Sequence, residues 1–127
     1  MSLAERIKKA RRTYIIGNGG SYANAMHIAN DLIACGVRAH TLDPSTLTAI
    51  GNDYGYENVF SRWLRVFGEP GDLLIALSGS GKSPNILNAI EMAQLIGMDV
   101  EKVFGAPAYD MQEAEERQIV LGHAMMR

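Results

Sequence analysis

Short apolar runs alternate with segments of helical spacing along the first half of the chain. Residues 13–17, TYIIG, are β-branched or aromatic and end in glycine, which predicts a buried strand. Residues 22–35 then predict a helix that stops before Gly36. Its apolar positions at helical spacing are Ala25, Ile28, Ala29 and Leu32. Residues 37–42, VRAHTL, predict a second strand, and residues 43–56 mix turn residues with a short helical piece.

The second half of the chain repeats this alternation. Residues 73–77, LLIAL, are apolar on both faces, as expected for a central strand of a parallel sheet. Helices are predicted on either side of this strand, over 59–67, with Phe60, Leu64 and Phe67 on one side, and over 84–96, with Ile86, Ile90 and Ala93 aligned. Residues 100–105, VEKVFG, predict a fourth strand, and residues 111–126 predict a closing helix. Because strands, loops and helices alternate, the predicted fold is α/β with a parallel sheet.

Composition limits the classes of protein to which this chain can belong. Its 127 residues, 47% of them hydrophobic, suffice for a core, and we expect a single domain over residues 1–127. A net charge of −2 argues against nucleic-acid binding, and the basic residues between 6 and 12 predict a solvated helix face. The sequence has no apolar run of about 18 residues that predicts a membrane span, and its opening residues lack the apolar core of a secretory signal. Cys35 is the single cysteine, which predicts no disulfide framework and a reducing compartment, the cytoplasm.

Two glycine-rich loops occupy equivalent places in this alternation. Residues 17–21, GNGGS, and residues 78–83, SGSGKS, each follow a predicted buried strand and open a predicted helix. In parallel α/β sheets, ligands bind beyond the carboxyl ends of the strands, where helix N-termini present N–H groups to anions. One such loop is often only a turn, but two at matching positions predict a site for an anion such as phosphate.

The end of the second loop also resembles the end of a nucleotide-binding P-loop. That motif requires a glycine five positions before Gly81, where this chain has Ala76 inside the predicted strand. Pro84 stands where the helix of a P-loop is already running. We therefore expect no nucleotide.

Without a P-loop, the second loop is itself the predicted phosphate site. Its small polar groups are expected to hold the anion, through the hydroxyls of Ser78, Ser80 and Ser83 and the backbone of Gly79 and Gly81. Lys82 is either an additional charge near the phosphate or a solvent-facing side chain.

Several long motifs resemble the sugar isomerase (SIS) domain. They are IIGNGGSYANAMHIANDL from residue 15, LTAIGNDYGYENVFSRWLRVFGEPGDLLIALSGSGKSPNILNAIEMAQLIGM from residue 47, and LGHAMM from residue 121. The branch they resemble most is the phosphoheptose isomerases, which interconvert sedoheptulose 7-phosphate and D-glycero-D-manno-heptose 7-phosphate. The resemblance implies a three-layer α/β/α sandwich around a parallel sheet.

The resemblance also implies a substrate site built from the two loops and a third segment. Ser78, Gly79, Ser80 and Ser83 are implied to hold the phosphate, and Asn18, Gly20 and Ser21 are implied to touch the sugar chain. Asn52 and Asp53, from the motif GND, are implied to face the substrate, although such pairs also serve as turns or helix caps. Gly79 replaces a threonine of the family pattern and Lys82 an asparagine, so one donor side chain is lost and a cation is gained.

A histidine and an aspartate on the predicted helix 22–35 are the candidates for proton transfer. Their spacing of four residues places His27 and Asp31 on one helix face. Isomerisation through an enediol needs a base for the proton next to the carbonyl, and an acid or a metal for the oxyanion. A lone histidine on a helix is more often structural, so the prediction depends on the pairing near a phosphate loop. Family members have glutamate where this chain has Asp31, which is one methylene shorter.

The last predicted helix supplies the second half of the implied site. His123 matches the second essential histidine of the family, and Glu115 stands where the family usually has glutamine. Glu116 is its rival, because the seven residues to His123 make nearly two helical turns, and residues 115–117 by themselves are typical of a solvated helix face. The resemblance implies that His27, Asp31, Glu115 and His123 bind zinc or another divalent metal between subunits. Without a metal, Asp31 is the expected base and His123 the expected acid.

The chain departs from the family pattern at two places. Relatives usually begin with a longer helical segment that helps to build a tetramer. They also carry a further strand before the last helix, where this chain has only residues 99–111. The resemblance implies a homo-oligomer, a tetramer or a dimer, with the site near subunit interfaces. Because of the two missing pieces, we expect that the chain either assembles differently from its relatives or is a reduced form of the family.

Two functions from different classes follow. The first is an aldose–ketose isomerase acting on a sugar phosphate, with sedoheptulose 7-phosphate as the expected substrate. The second is a non-catalytic SIS module that binds a phosphosugar or a protein, as in regulators and in a branch that binds a replication initiator. We expect neither nucleic acid nor a membrane as a partner.

Overall fold

The computed structural model describes residues 1–105. The elements in chain order are α1 (Leu3–Lys9), β1 (Thr13–Ile16), α2 (Gly20–Ala34), β2 (Ala39–His40), α3 (Pro44–Tyr54), a 3₁₀ turn (Tyr56–Asn58), α4 (Val59–Phe67), β3 (Leu73–Ser78), α5 (Pro84–Ile96) and β4 (Asp99–Phe104). The helix predicted over residues 111–126 lies outside the described residues. No helix within the described residues is long and apolar enough to cross a membrane.

The sheet has four parallel strands in the order β2-β1-β3-β4. The central pair is β1 and β3, in which Thr13 is opposite Leu73 and Ile16 is opposite Ala76. Every residue of these two strands is buried, which explains why their sequences are nearly continuous apolar runs. The predicted parallel α/β fold, with LLIAL as a central strand, is therefore confirmed.

Helices cover both faces of the sheet. Tyr14, Ile16, Leu74 and Ala76 point to one face, where they pack against apolar residues of α4 and α5, and the ring of Trp63 meets Tyr14 edge-on with 5.2 Å between centroids. The alternate strand residues Ile15, Leu73, Ile75 and Leu77 point to the other face, where they pack against α1 and α2. The three-layer α/β/α sandwich is confirmed.

The stripes predicted for α2 and α5 are the ones that the two helices bury. Ala25, Ile28, Ala29 and Leu32 of α2 are buried, as are Ile86, Ile90 and Ala93 of α5. Burying each larger aliphatic side chain contributes about 1.5–3 kcal/mol, so these stripes fix the helices against the sheet.

Three local predictions differ from the structure. Residues 43–56 hold an 11-residue helix rather than a short helical piece, and Asp43 caps it by accepting a hydrogen bond from the Thr46 amide at 2.9 Å. The second strand covers only Ala39–His40 instead of residues 37–42. Phe67 is 53% exposed, because the edge strand beside it is too short to cover it and leaves a cavity of about 220 Å³ there.

The prediction of a solvated basic face is wrong for Arg6. Its Nε atom lies 2.8 Å from Asp99 Oδ2, and its Nη2 atom donates to Asp99 Oδ1 at 2.9 Å and to the Val100 carbonyl at 3.1 Å. The Nη1 atom also pairs with Glu101. This fork joins α1 to the edge strand β4, and its hydrogen bonds hold the pKa of Asp99 below its usual value.

Arg6→Gln removes the ion pair with Asp99, and we expect it to lower the free energy of unfolding at neutral pH. The loss should be only about 1 kcal/mol, because the Asp99 carboxylate is half exposed and solvent screens the pair. The folded state lowers the pKa of Asp99, so the contribution is present above about pH 4 and is lost as pH falls through the lower folded value. Urea unfolding of both proteins at pH 7 and at acidic pH measures this.

Arg11→Gln is the matched control. Arg11 lies 2.8 Å from Glu69, but the two side chains are 60% and 50% exposed, so we expect a loss below about 0.5 kcal/mol. Equal losses for the two variants, or a loss for Arg6→Gln that does not shrink in acid, would contradict the role given to Arg6.

Candidate functional site

The two glycine-rich loops meet at the carboxyl edge of the sheet. Because Ile16 and Ala76 are opposite one another in β1 and β3, the loops that follow these strands leave the sheet side by side. Between them lies a small cavity of about 30 Å³. It is lined by Asn18, Ser21, Leu77, Ser78, Gly79, Ser80 and Ser83. The predicted convergence of the two loops is therefore present in the structure.

The first loop depends on glycine at two positions. A Cβ atom at Gly17 would lie 2.6 Å from the backbone of Ser21, so only glycine lets the strand end approach the first turn of α2. Gly19 caps that helix with a φ of +54°, which side chains rarely permit. Ser21 consequently sits in the first turn of α2, where it is buried and lines the cavity.

The second loop orients its own serine hydroxyls. Ser78 Oγ accepts a hydrogen bond from the Gly81 amide at 2.9 Å, and Ser80 Oγ accepts one from the Lys82 amide at 3.1 Å. A hydroxyl that accepts from an amide keeps its O–H proton for donation. The amide of Gly81, which the sequence analysis assigned to the anion, is used inside the loop instead.

The conformation of the second loop requires glycine at residue 81. Gly81 has a φ of +69°, and a Cβ atom there would lie 3.1 Å from the Phe104 ring at the end of β4. The Phe104 ring therefore lies against the second loop and leaves no room for a side chain at this position. Two independent constraints, backbone conformation and space, act on this one position.

Two helix N-termini adjoin the cavity. α5 begins at Pro84, and Ser83 occupies its cap position without making a side-chain capping hydrogen bond. α2 begins at Gly20, directly after the first loop. Pro84 has no N–H, and the Ile86 amide already donates to the Ser83 carbonyl at 3.1 Å. The two helix N-termini therefore suit an anion mainly through their partial positive charge.

An amide pair that the sequence analysis did not single out joins the loops. Asn18 Nδ2 donates to Asn85 Oδ1 at 2.7 Å, and Asn85 Nδ2 donates back to Asn18 Oδ1 at 2.8 Å. The Tyr56 hydroxyl also donates to Asn18 Oδ1, at 2.9 Å. No periodicity pointed to Asn85, because its partner lies 67 residues away in the chain.

The start of α2 is also tied to the segment that follows β2. The Tyr22 hydroxyl donates a hydrogen bond to the Leu42 carbonyl. Burial raises the pKa of Tyr22, so its hydroxyl stays protonated at neutral pH and keeps this bond. The first loop is thereby held from both sides, by Asn85 and by the link to Leu42.

The histidine and aspartate of α2 pair as their spacing predicts. His27 Nε2 lies 3.1 Å from Asp31 Oδ2, and the two side chains are 48% and 23% exposed. At 1.5 Å per residue, His27 is about 10 Å along the helix from Gly20, where α2 begins at the cavity. The pair therefore stands beyond the cavity between the loops and does not line it.

Other predicted site residues are not brought into the cavity. Asn52 and Asp53 are exposed in the last turn of α3, where Asn52 Nδ2 donates to Asp53 Oδ1 at 3.2 Å, and they do not line it. Gly20 begins α2 beside the lining residues. Glu115, Glu116 and His123 lie outside the described residues. The substrate roles of all these residues stay predictions.

Residues 1–105 hold half of the implied metal-ligand set. His27 and Asp31 offer an imidazole nitrogen and a carboxylate oxygen, donor types that zinc accepts. No group of three or more potential ligands occurs within these residues. The described pair fits two positions of a four-ligand site.

Comparisons with known proteins agree with this architecture. The family model of the SIS domain matches residues 1–103. A phosphoheptose isomerase of Akkermansia muciniphila is 42% identical over 120 residues, which cover 88% of this chain and 64% of the relative. One from Bradyrhizobium is 41% identical over 122 residues, which cover 90% of this chain and 62% of the relative. The chain thus spans less than two thirds of the length of these relatives.

A solved structure shows the same fold. The phosphoheptose isomerase of Neisseria gonorrhoeae superposes with a TM-score of 0.89 and 32% sequence identity, covering 98% of this chain and 78% of that one. The resemblance to phosphoheptose isomerases is confirmed, and with the family match over most of its length, the chain belongs to the SIS domain family.

Proposed function

We propose that this chain is a phosphosugar isomerase that interconverts an aldose and a ketose, with sedoheptulose 7-phosphate as its substrate. The observation that carries the proposal is the meeting of two hydroxyl- and amide-bearing loops at one cavity, beside the helix that bears His27 and Asp31. The similarity to phosphoheptose isomerases over about 90% of this chain supports the choice of substrate.

In this proposal the phosphate binds in the cavity between the loops. Ser78 and Ser80 each accept one hydrogen bond from a loop amide, which orients the hydroxyl and leaves its O–H proton for donation to the anion. The hydroxyl of Ser83 adds a donor on the same side, and the positive end of the α5 helix dipole favours the anion there. Because the cavity has a volume of only about 30 Å³, the sugar carbons must lie outside it, and the proposal directs them towards α2.

The proton transfer is assigned to the far end of the sugar. Asp31 is the proposed base that removes the proton next to the carbonyl, and His123 is the proposed acid. His27 Nε2, 3.1 Å from Asp31 Oδ2, is assigned the role of orienting this carboxylate. His27 lies about 10 Å along α2 from the start of the helix. In the proposal, a sugar chain of several carbons spans this distance between the phosphate and the reacting centre.

A zinc ion is part of the proposal as an optional cofactor. His27 and Asp31, together with Glu115 and His123, would hold it, and it would supply Lewis-acid polarisation of the substrate carbonyl. Because the described residues contain no third ligand near the pair, the proposal places the remaining ligands in residues 106–127 or in another copy of the chain. We accordingly propose a homo-oligomer, a dimer or a tetramer, acting in the cytoplasm.

Turnover is the direct test of the proposed reaction. Purified protein, with and without added zinc, is expected to convert sedoheptulose 7-phosphate to the heptose phosphate, followed by NMR of the sugar. Asp31→Asn and His123→Ala are each expected to lower kcat by about 10² or more, because each removes a proton-transfer group. Glu91→Gln on the exposed face of α5 makes the same carboxylate-to-amide change and should leave the rate unchanged.

Two outcomes separate the candidate functions. Absence of turnover in every condition would remove the isomerase proposal. If the same protein is still stabilised against heat by the sugar phosphate, the chain is a phosphosugar-binding SIS module instead.

The phosphate loop can be tested apart from catalysis. Gly81→Ala is expected to weaken the binding of inorganic phosphate about tenfold or more, because the new methyl group meets the Phe104 ring and distorts the loop. The measurement is a ³¹P NMR titration of wild type and variant at constant ionic strength.

Gly36→Ala is the matched control for this change. Gly36 has a φ of +85° at the end of α2 and open space around it, so alanine there brings a similar backbone strain of about 1–2 kcal/mol without touching the cavity. It should lower stability and leave phosphate affinity unchanged. Equal phosphate affinity for the Gly81→Ala protein and wild type would contradict the assigned loop.

A further inference from the structure

Asn85 stands out among the residues near the cavity that no proposed role yet uses. It is the second residue of α5 and only 2% exposed, and the loop hydroxyl of Ser83 lies two positions before it. Its carboxamide makes both of its bonds with a single partner, Asn18, across the boundary between the two loops. A buried polar group of this kind is costly unless it is paired, so its position is determined by that partner.

The hydrogen-bond capacity of Asn18 shows what the pairing achieves. Asn18 Oδ1 accepts from Asn85 Nδ2 at 2.8 Å and from the Tyr56 hydroxyl at 2.9 Å, which occupies both of its acceptor positions. One N–H of Asn18 donates to Asn85 Oδ1 at 2.7 Å. The second N–H is the part of this side chain that the network does not use, and Asn18 lines the cavity.

We propose that Asn85 is a positioning residue for anion binding: its amide pair with Asn18 sets the distance between the two loops and directs the second Asn18 N–H into the phosphate cavity. This inference rests on the proposed function of the cavity as a phosphate site. Asn85 itself need not touch the anion. By holding the two loops in place before the anion arrives, Asn85 lowers the entropic cost of ordering them on binding.

The amide chemistry explains why an asparagine is needed rather than an aspartate. A carboxylate at position 85 cannot donate to Asn18 Oδ1, so one of the two bonds is lost and two oxygens face each other. It would also place a negative charge beside the anion site. Asn85→Asp therefore changes almost no volume but is expected to weaken phosphate binding more than Asn85→Ala.

Phosphate affinity of single and double variants tests the inference. Inorganic phosphate is titrated by ³¹P NMR against wild type, Asn85→Ala, Asn18→Ala and the double variant, with chloride holding ionic strength constant. We expect Asn85→Ala to weaken binding about tenfold, which is about 1.4 kcal/mol. Because Asn85 acts through Asn18, the same change in the Asn18→Ala protein should alter affinity by less than about twofold.

A purely structural role for Asn85 would give a different pattern. It would lower the melting temperature and weaken phosphate binding by the same factor whether or not Asn18 is present. Asn88→Ala is the matched control, because Asn88 lies one turn further along α5 and donates to the Glu57 carbonyl at 3.0 Å, away from the cavity lining. This control should leave phosphate affinity unchanged.

Tyr56→Phe provides a variant that retains the buried pair. It removes only the third hydrogen bond to Asn18 from an exposed ring, so folding should be unaffected, and we expect phosphate binding to weaken about two- to threefold. If Asn85→Ala does not fold, an unchanged affinity in Tyr56→Phe together with an unchanged affinity in Asn85→Asp overturns the inference.

The outcomes distinguish the two levels of the argument. Wild-type protein that binds no phosphate would overturn both the proposed function and this inference. Wild-type binding with unchanged affinity in Asn85→Ala, or equal losses in both backgrounds, would overturn the inference alone.

Discussion

The parallel pairing of β1 with β3 is the constraint on which the candidate site depends. These strands are adjacent in space although 56 residues of helix, strand and loop separate Ile16 from Leu73, and their register brings Ile16 level with Ala76. Both loops therefore begin at the same edge of the sheet. Because each connection crosses over through a helix, two helix N-termini arrive at that edge together.

The chemistry of the site is that of neutral donors held in fixed directions. Lys82 is exposed, and the residues that line the cavity between the loops are serines, an asparagine, a glycine and a leucine. One backbone amide of the second loop donates to each of the Ser78 and Ser80 hydroxyls, which orients them and keeps their O–H protons for donation. Fixed dipoles of this kind require little rearrangement when charge arrives. The amide pair of Asn18 and Asn85 likewise fixes the two loops before an anion binds.

Much of the fold could be predicted from the sequence, because its signals are local. Strands β1 and β3 are buried on both faces, so each is a nearly continuous apolar run. Helix α2 is buried on one face, so its apolar residues form a stripe. The errors arise where local signals are weak or tertiary context decides. Asp43 and Pro44 begin helix α3, but Gly51 and two threonines within it weaken the helical signal in the sequence. Phe67 has the spacing of a buried helix position, but it lies beside the edge of the sheet, where β2 has only two residues.

The site was predictable to the same extent and for the same reason. Glycines and serines after a buried strand mark Ser21, Ser78, Ser80 and Ser83, and a spacing of four residues is enough to place His27 beside Asp31. The contact between Asn18 and Asn85 joins residues 67 positions apart, so only the register of the sheet reveals it. Arg6 was missed in the same way, because its partner Asp99 lies 93 residues further on.

The central claim is that one anion is held by both loops at once, and backbone amide chemical shifts measured during a titration with inorganic phosphate test it most directly. The account predicts saturable changes in two stretches together, residues 18–22 and residues 78–86, with one common dissociation constant. Changes confined to one loop, two unrelated constants, or changes centred on the exposed basic residues of α1 would contradict it.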